Sequence, residues 1–291
     1  NKAVTKEYGG GNGLGVYQGL VDAFFMKNGL PITDDNAEYV EGGFSTEKEI
    51  RVTEWTGGTG QKGEVTAEGT YNMYCNREPR FYTTVSYNGS WYALAGRKYE
   101  FFKNQKDNDY THDAPQNGYL VRKKVYPQDN PKNGSYKWRQ MFLYRLSASF
   151  LDYAEAINEA YDNKVSREEA LKYVNKVRER AGVRQYTLNT VSLDDPKYIH
   201  VDDNQLAVRE VVRMERRVEL CCEGSRWSDI RRWRIIESLP EMCGDDYGMN
   251  YEFYKRTVFQ TRVWKKAMYW MPVYFEEINK NPNLVQAPFW N

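Results

Sequence analysis

The stretch "ERRVELCCEGSRWSDIRRW", residues 215–233, places three glutamates, one aspartate, five arginines and two tryptophans in nineteen positions. Glu215, Glu219 and Glu223 are spaced by four residues, so a helix carries all three on one face. Two carboxylates on one face could serve a glycoside hydrolase, which needs such a pair roughly 5–10 Å apart at a cleft. The spacing alone does not distinguish catalytic carboxylates from structural ones. The residues between the glutamates are needed to decide.

Three arginines, Arg213, Arg216 and Arg217, are interleaved with these glutamates. Carboxylates that alternate with arginines are more simply explained as ion-pair partners than as catalytic groups. We therefore predict that all six residues form a structural ion-pair scaffold and that the glutamates are largely buried, because a buried charge requires a partner. The same pairing consumes the arginine charge and argues against a nucleic-acid surface. We expect Trp227 and Trp233 to pack into the core.

Composition excludes several classes of function. Lys and Arg total 41 against 40 Asp and Glu in 291 residues, so the basic excess of a nucleic-acid-binding protein is missing. No run of eighteen apolar residues predicts a membrane span. With two histidines and four cysteines without metal spacing, we predict no metal site and no cofactor. We expect Cys221 and Cys222 late in a helix as core residues, with a disulfide to Cys243 as the alternative.

Helical periodicity begins near residue 140 and defines a region of helical hairpins over 140–240. A first helix is predicted by an apolar stripe at steps of three and four: Phe142, Leu146, Phe150, Tyr153 and Ile157. A second is predicted by a capping box, an apolar stripe and a terminal glycine: Ser166 and Glu169, then Leu171, Val174, Val177 and Ala181, then Gly182. These two form an αα-hairpin like one helical-repeat unit. Third and fourth helices are predicted over about 203–223 and 226–239.

The preceding region, 15–140, is predicted to be a loop-rich layer with one short helix and one hairpin. Turn chemistry recurs along it, and "RFYTTVSYNGSWYAL" (80–94) predicts a hairpin whose turn is Asn88-Gly89. The last region, 241–291, is predicted to be a tail anchored by aromatic residues. Arg77, Glu78 and Arg80 either bind a carboxylate or, as we prefer, form a charged turn that docks on the third helix.

Aromatic residues are unusually numerous for so hydrophilic a chain. They make up 15% of it, with 24 Tyr and 8 Trp, while the mean hydropathy is −0.81. Not all of these rings fit in a core, and amphipathic rings at wet surfaces commonly contact ligands. Tyr39, Trp55 and Trp91 lie in turns outside every helical stripe, and we predict them as ligand-binding residues. Glycines at 57, 58 and 60 are expected to leave the face of Trp55 uncrowded.

Two acidic loops offer an alternative ligand. "DNDYTHD" (107–113) contains three aspartates, and "YPQDNPKNG" (126–134) places Asp129 among amide carbonyls. Either could hold Ca²⁺ through oxygen ligands, but the spacing of an EF-hand is missing. We interpret both as solvated loops.

Several segments, in order, resemble the SusD/RagB family, the surface glycan-binding lipoproteins of Bacteroidetes. They are "LVDAFFMKNGLPI" (20–32), "NREPRFYTTV" (76–85), "YRLSASFLDYAEAINEA" (144–160), "ALKYVNKVRERAGV" (170–183), "VVRMERRVELCCEGSRWSDIRRW" (211–233) and "YWMPVYFEEINKNPNLVQAPFW" (269–290). The chain departs from the family pattern where "MPVY" replaces Pro-Ile-Pro and "APFW" replaces Asn-Pro-Gly-Trp. Residues 1–291 thus resemble the C-terminal portion of a SusD-like protein, whose N-terminal helical-repeat half and lipid-anchored cysteine are absent from this sequence.

The resemblance implies a fold that is mostly α-helical, with TPR-like αα-hairpins, a large irregular loop layer and a few short strands. It implies a nutrient-uptake protein of polysaccharide utilisation at the cell outer membrane and not an enzyme. Such a protein would bind an oligosaccharide and pass it to a SusC-like TonB-dependent transporter. Peptide binding, as in the RagB branch, and glycoside hydrolysis stay as alternatives, and the sequence does not name the glycan.

Overall fold

The computed structural model describes residues 14–108, 114–138, 140, 142–190, 195–239, 242–249 and 253–290. Within these ranges the helices are α1 (Gln18–Ala23), α2 (Pro79–Thr84), α3 (Leu146–Ala160), α4 (Lys164–Ala181), α5 (Gln205–Glu219), α6 (Ser225–Arg232) and α7 (Phe275–Lys280). The strands are β1 (Glu49–Ile50), β2 (Glu64–Thr66), β3 (Val85–Tyr87), β4 (Trp91–Tyr92), β5 (Arg97–Lys98), β6 (Tyr119–Val121), β7 (Gln185–Leu188), β8 (Tyr198–Val201), β9 (Gly244–Gly248) and β10 (Thr257–Arg262). The predicted fold class, mostly helical with an irregular layer and a few short strands, is confirmed.

The strands pair two at a time. The pairs are β1 with β2, β3 with β6, β4 with β5, β7 with β8, and β9 with β10. Only β7 and β8 run parallel among the described strands. No described helix is long and apolar enough to cross a bilayer.

Helices α3 and α4 form the predicted αα-hairpin, and α5 packs against both. The apolar stripe predicted for α4 is buried: Leu171, Val174, Val177 and Ala181. Gly182 ends α4 in the left-handed conformation, as predicted, because a glycine adopts φ near +72° without steric strain. The predicted capping box at Ser166 and Glu169 is wrong. The N-cap is Asn163, three residues earlier, and its side chain accepts a hydrogen bond from the Ser166 amide.

The predicted stripe of α3 is shifted from the true buried face. That face consists of small or slender residues that let the helices approach closely: Ser147, Leu151, Ala154 and Asn158. Phe142 lies before the helix and is 62% exposed, while Leu146 is 67% exposed. Phe150 and Tyr153 instead pack against the ring of Tyr173 at the rim of the hairpin, with centroid distances of 5.5 and 4.6 Å.

Helix α5 ends at Glu219, one turn before the predicted residue 223, and α6 ends at Arg232 instead of residue 239. Cys222 and Gly224 both have positive φ in the turn between the two helices, which stops α5. Cys221 and Cys222 therefore lie in this turn, not late in a helix. All four cysteines are free, so the alternative disulfide does not form.

The two tryptophans of this region do not pack into the core, which corrects the prediction. Trp227 is 43% exposed and makes an edge contact with Trp264. Trp233 lies between the guanidinium groups of Arg213 and Arg232, at 4.7 and 4.8 Å from its ring centroid. On a helix this rich in arginine, cation–π contacts hold the rings at the surface.

The predicted hairpin over 80–94 is also wrong, although its turn exists. Pro79 begins α2, which occupies the first part of that segment, and β3 then pairs with β6 while β4 pairs with β5. The amide of Ser90 donates to the carbonyl of Tyr87 at 3.0 Å, and Gly89 has φ +86°. Every residue of β3 and β6 is buried, so this pair lies inside the layer.

A common core joins the loop layer to the helices. Its buried rings come from α1, α2 and the segments between them and include Phe24, Phe25, Tyr74 and Phe81. Val218 of α5 packs into the same cluster. The layer is thus fixed on the face of α5 that carries the glutamates of the opening stretch.

Candidate functional site

Glu215 lies at the centre of a charge network whose carboxylates are buried. Its Oε1 accepts from Arg80 Nη1 at 2.6 Å, and its Oε2 accepts from Arg178 Nη1 at 2.9 Å. Arg80 also donates to Glu78 at 2.7 Å, and burial raises the pKa of Glu78. Arg80 comes from α2, Arg178 from α4 and Glu215 from α5. The predicted docking of the charged turn on the third helix therefore occurs through this network.

Glu219 extends the network by one helical turn. It accepts from Arg80 at 3.0 Å, from Arg145 at 2.8 Å and from Arg180 at 2.5 Å. Burial alone would raise the pKa of Glu219, but these three cations outweigh burial and lower it to about 2. We call Glu78, Arg80, Arg178, Glu215 and Glu219 the ion-pair core.

Glu223 lies in the turn after α5 and is half-buried. Its carboxylate is 2.7 Å from Lys123 Nζ and accepts from Arg145 Nε at 2.8 Å. These two cations lower the pKa of Glu223 against the opposing effect of burial. All three glutamates of the opening stretch are thus paired with basic side chains.

The partners are not the arginines next to the glutamates, which corrects the predicted pairing. Arg216 binds Asp229 at 3.1 Å and also contacts Asp152, while Arg213 lies 3.6 Å from Glu210. Arg217 donates to the carbonyl of Gly19 at 2.7 Å. Adjacent helical residues project about 100° apart. The interleaved arginines therefore point away from the glutamate face.

The ion-pair core does not have the arrangement of a hydrolytic site. Glu215 and Glu219 hold the same nitrogen of Arg80, and both carboxylates are covered by packed helices. A general acid requires a raised pKa. The lowered pKa of Glu219 is the opposite. No cluster of potential metal ligands occurs among the described residues.

Arg77 is equally unsuited to bind a ligand. Its side chain is fully buried and donates to the carbonyls of Phe24 at 2.8 Å and Met73 at 3.3 Å. These bonds fix the end of α1 against the segment before α2. The contacts of Arg77 therefore fit a charged turn with a structural role and not a carboxylate-binding site.

Trp55 is half-buried in the loop layer, and its faces are not open as predicted. The α-carbon of Gly57 lies so close that a β-carbon there would be 2.6 Å from Trp55 Cε2. The guanidinium of Arg122 lies 5.6 Å from the ring centroid and donates to the Gly57 carbonyl at 3.0 Å. Gly57 thus lets the backbone pack closely against the Trp55 ring and does not leave open space beside it.

Trp91 packs against the same glycine turn. A β-carbon at Gly60 would be 2.8 Å from Trp91 Cζ2, so this turn packs against both tryptophans. Trp91 and Arg122 line one small cavity of about 20 Å³. The structure thus brings Trp55, Trp91 and Arg122 together around residues 57–60, and we call this the Trp55–Trp91 surface.

Tyr39 belongs to a different network. Its hydroxyl donates to Glu41 Oε2 at 3.4 Å, and Arg77 lies 5.7 Å from its ring centroid. Burial, followed by the charges of Glu41 and Asp22, raises the pKa of Tyr39. Tyr39 therefore faces charged groups instead of the Trp55–Trp91 surface.

The sequence analysis missed an aromatic cluster in the loop layer. Its members are Phe44, Tyr71, Phe102, Phe253 and Tyr254. Tyr71 and Tyr254 stack at 4.2 Å, and Phe44 meets them edge-on at 5.6 and 5.5 Å. Phe44 is 47% exposed and Phe253 is 70% exposed. No local spacing predicts this cluster because its rings come from segments more than 150 residues apart.

The acidic loops show no cation site in the part that is described. Asp107 is buried and binds Arg97 at 2.7 Å. Residues 109–113 of the "DNDYTHD" loop lie outside the described residues. Asp129 accepts from the amide of Lys137 at 2.9 Å.

Comparisons with known proteins agree on one family. A family model described as the SusD family matches residues 1–290. A SusD-like protein from Bacteroides fragilis is 26% identical, with a TM-score of 0.67 over 97% of this chain and 48% of its own. The structure of selenomethionine BT4246 is 27% identical, with a TM-score of 0.72 over 95% of this chain and 46% of its own. The chain thus spans about half the length of these solved structures, and curated proteins gave no significant match.

Proposed function

Because this chain belongs to the SusD family, we propose that it is part of a cell-surface protein that binds oligosaccharides. The whole protein would be attached to the outer membrane by a lipid anchor on another segment and would deliver its ligand to a SusC-like TonB-dependent transporter. Family membership and the half-buried rings of the loop layer support this proposal. The proposed activity is binding without catalysis, since the candidate carboxylates Glu215 and Glu219 are consumed by ion pairs.

The observation that carries the proposal is the Trp55–Trp91 surface. Two tryptophans flank one glycine turn and share Arg122, although they are separated in sequence. Gly57 and Arg122 cover part of Trp55, but both indole rings are only half-buried. Their uncovered parts can contact the C–H face of a pyranose, while a guanidinium donates hydrogen bonds to hydroxyls. Burial lowers the pKa of Arg122, but an arginine stays charged at physiological pH. Tyr39 is proposed as a separate contact on the charged side of the layer.

An exposed apolar segment supports the proposal that this chain is the C-terminal portion of a longer protein. Phe142, Leu143, Tyr144 and Leu146, which precede or begin α3, are all more than half exposed. Helical-repeat units normally cover such residues with a neighbouring unit. Size-exclusion chromatography tests this, because the isolated chain should self-associate, while the longer protein should be a monomer. A monodisperse monomer of the isolated chain would count against it.

Titration calorimetry with a glycan panel tests the ligand. We expect Trp55→Ala and Trp91→Ala each to weaken binding of the selected glycan by roughly 1 kcal/mol or more, because a ring contact is lost. Tyr39→Ala should have a smaller effect. Tyr161→Ala is the matched control, since Tyr161 is an exposed ring beyond the loop layer at the end of α3.

Unchanged affinity in the folded Trp55→Ala and Trp91→Ala variants would remove this surface from the site. Binding of peptides in place of glycans would favour the RagB-like alternative. Co-purification from native outer membranes after cross-linking tests the transporter. Recovery of the protein without a TonB-dependent transporter would contradict that part of the proposal.

A further inference from the structure

An open cleft of about 590 Å³ lies in the loop layer and contains neither tryptophan of the Trp55–Trp91 surface. Its volume falls within the roughly 300–1,000 Å³ of small-molecule sites. Phe44 lines it together with hydroxyl and amide side chains, among them Ser45, Thr46, Asn72 and Asn76. We call it the Phe44 cleft. One of its walls is a ring of the aromatic cluster, and the rest is mainly polar.

Backbone hydrogen bonds fix this wall on both sides of Phe44. The amide of Asn72 donates to the carbonyl of Gly43 at 3.0 Å, and the amide of Ser45 donates to the carbonyl of Thr70 at 2.8 Å. Phe44 itself forms a β-bridge with Tyr71. A ligand therefore meets a wall that is already ordered, and binding loses little conformational entropy.

The rings beside the cleft are held in place but not covered. Tyr71 and Tyr254 stack beneath Phe44, and Asn88 donates to the hydroxyl of Tyr254 at 3.1 Å. Phe253 lies 6.2 Å from Phe44 and is even more exposed. An exposed phenylalanine cannot hydrogen-bond to water. Phe44, which lines the cleft, and the neighbouring Phe253 therefore form, with Tyr71 and the partly buried Tyr254, a surface suited to an apolar face. A pyranose presents that face while its hydroxyl groups reach the polar wall.

The charges of the cleft balance. Lys27 and Lys48 oppose Glu47 and Glu49 in its lining. Lys27 Nζ lies 3.8 Å from Glu49, and Lys48 Nζ lies 3.3 Å from Glu64, outside the lining. A site for uronates or sulfated sugars would show a net positive charge. The balance instead fits an uncharged ligand.

We propose that the Phe44 cleft is a second saccharide subsite, selective for neutral pyranose units, that acts in addition to the Trp55–Trp91 surface. This inference rests on the proposed glycan-binding function. Two separate ring surfaces on one layer would let a single long chain bind at two points. Such binding raises the overall affinity when the spacing of the sites matches the ligand.

Calorimetry with defined oligosaccharides tests the subsite. The neutral probes are maltohexaose, cellohexaose, mannohexaose and xylohexaose, and the acidic probes are oligogalacturonate and oligomannuronate. We expect Phe44→Ala to weaken binding of the preferred neutral probe about fivefold or more. Phe253→Ala should weaken it less, and Phe44→Trp should restore it because a ring returns. Affinity should change little between low and high salt, since no net charge is recognised.

The controls separate the two proposals. Tyr161→Ala, an exposed ring at the end of α3, should leave affinity unchanged. If Trp55→Ala weakens binding while Phe44→Ala does not, the subsite is wrong and glycan binding stands. If the unmodified protein binds no probe, the proposed function fails and the subsite fails with it. Preferential, salt-sensitive binding of the acidic probes would overturn the selectivity.

Discussion

The ion-pair core and the Phe44 cleft use their side chains in opposite ways. In the core, Arg178 and Glu215 are fully buried and lie 2.9 Å apart. Beside the cleft, Phe44 and Phe253 leave 47% and 70% of their surface in water. Charged residues are usually exposed, and large apolar residues are usually buried. The comparison teaches that at these two places the partners available to a side chain decide its burial more than its residue type does.

The reason is geometric. Helices α2, α4 and α5 place Arg80, Arg178 and Glu215 where every charge meets an opposite one, so burial is offset by hydrogen bonds. The loop layer fills its interior with rings such as Tyr74 and Phe81, and the rings of Phe44 and Phe253 are left outside. A ring at the rim adds little to the core and is therefore available for a ligand.

The strongest test of the comparison is Glu215→Ala. Without this carboxylate the buried guanidinium groups of Arg80 and Arg178 lose a shared partner, so the free energy of unfolding should fall by about 3–5 kcal/mol. Urea denaturation followed by circular dichroism measures the change. Glu277→Ala, which removes a carboxylate from an exposed pair with Lys280, is the control and should change stability by no more than about 1 kcal/mol. If both substitutions lowered the free energy of unfolding equally, core and surface charges would not differ in their contribution to stability.

The pH dependence of stability sharpens the same distinction. The folded pKa of Glu219 is about 2, below its ordinary value of 4.5. Its contribution is therefore fully present above pH 4.5 and is lost as the pH falls toward 2, at about 3 kcal/mol. Thermal unfolding at a series of pH values should show this loss, and Glu219→Gln should flatten the slope between those limits. An identical slope in that variant would show that other carboxylates carry the acid sensitivity.

A smaller effect is expected at the start of α4. Asn163→Ala removes the side chain that accepts from the Ser166 amide and should cost about 1 kcal/mol. Glu169→Ala is the matched control, because this residue makes only an exposed pair with Lys172. Chemical denaturation of both variants decides which residue caps the helix. A larger loss at Glu169 would restore the capping box that the structure replaces.

The smallest effect should come from the exposed rings. Phe253→Ser should lower the free energy of unfolding by less than about 0.5 kcal/mol, as expected for a surface position. Thermal unfolding measures this loss. Phe81→Ala, which removes a fully buried ring, is measured in parallel as the reference for a large loss. A loss at Phe253 comparable to that at Phe81 would show that the ring is structural, and the contrast between the two regions would weaken.

Local patterns predicted the αα-hairpin and the buried face of α4, but they did not predict the partners of the helices. The stripe of α4 and the stop at Gly182 follow from residues a few positions apart, and the structure confirms both. The spacing of Glu215 and Glu219 placed them on one face, but Arg80 reaches them from more than 130 residues away. Local spacing in the sequence does not predict such a long-range contact. The aromatic cluster was missed for the same reason.

Trp55 shows a second limit of the sequence. Neighbouring glycines predicted open space around its ring, because a missing side chain frees volume. In the structure the same absence lets the backbone of Gly57 approach to contact. A glycine in the sequence is therefore compatible with open space beside a ring or with backbone packed against it. Only the three-dimensional structure distinguishes the two.

The long separation between Arg80 and Glu215 also bears on how the protein is synthesised. Arg80 leaves the ribosome 135 residues before Glu215. At roughly 5–20 residues per second this interval is on the order of ten seconds. During that time Arg80 can pair with Glu78 but not with its two glutamate partners in α5. The ion-pair core is thus completed only after most of the chain has been synthesised.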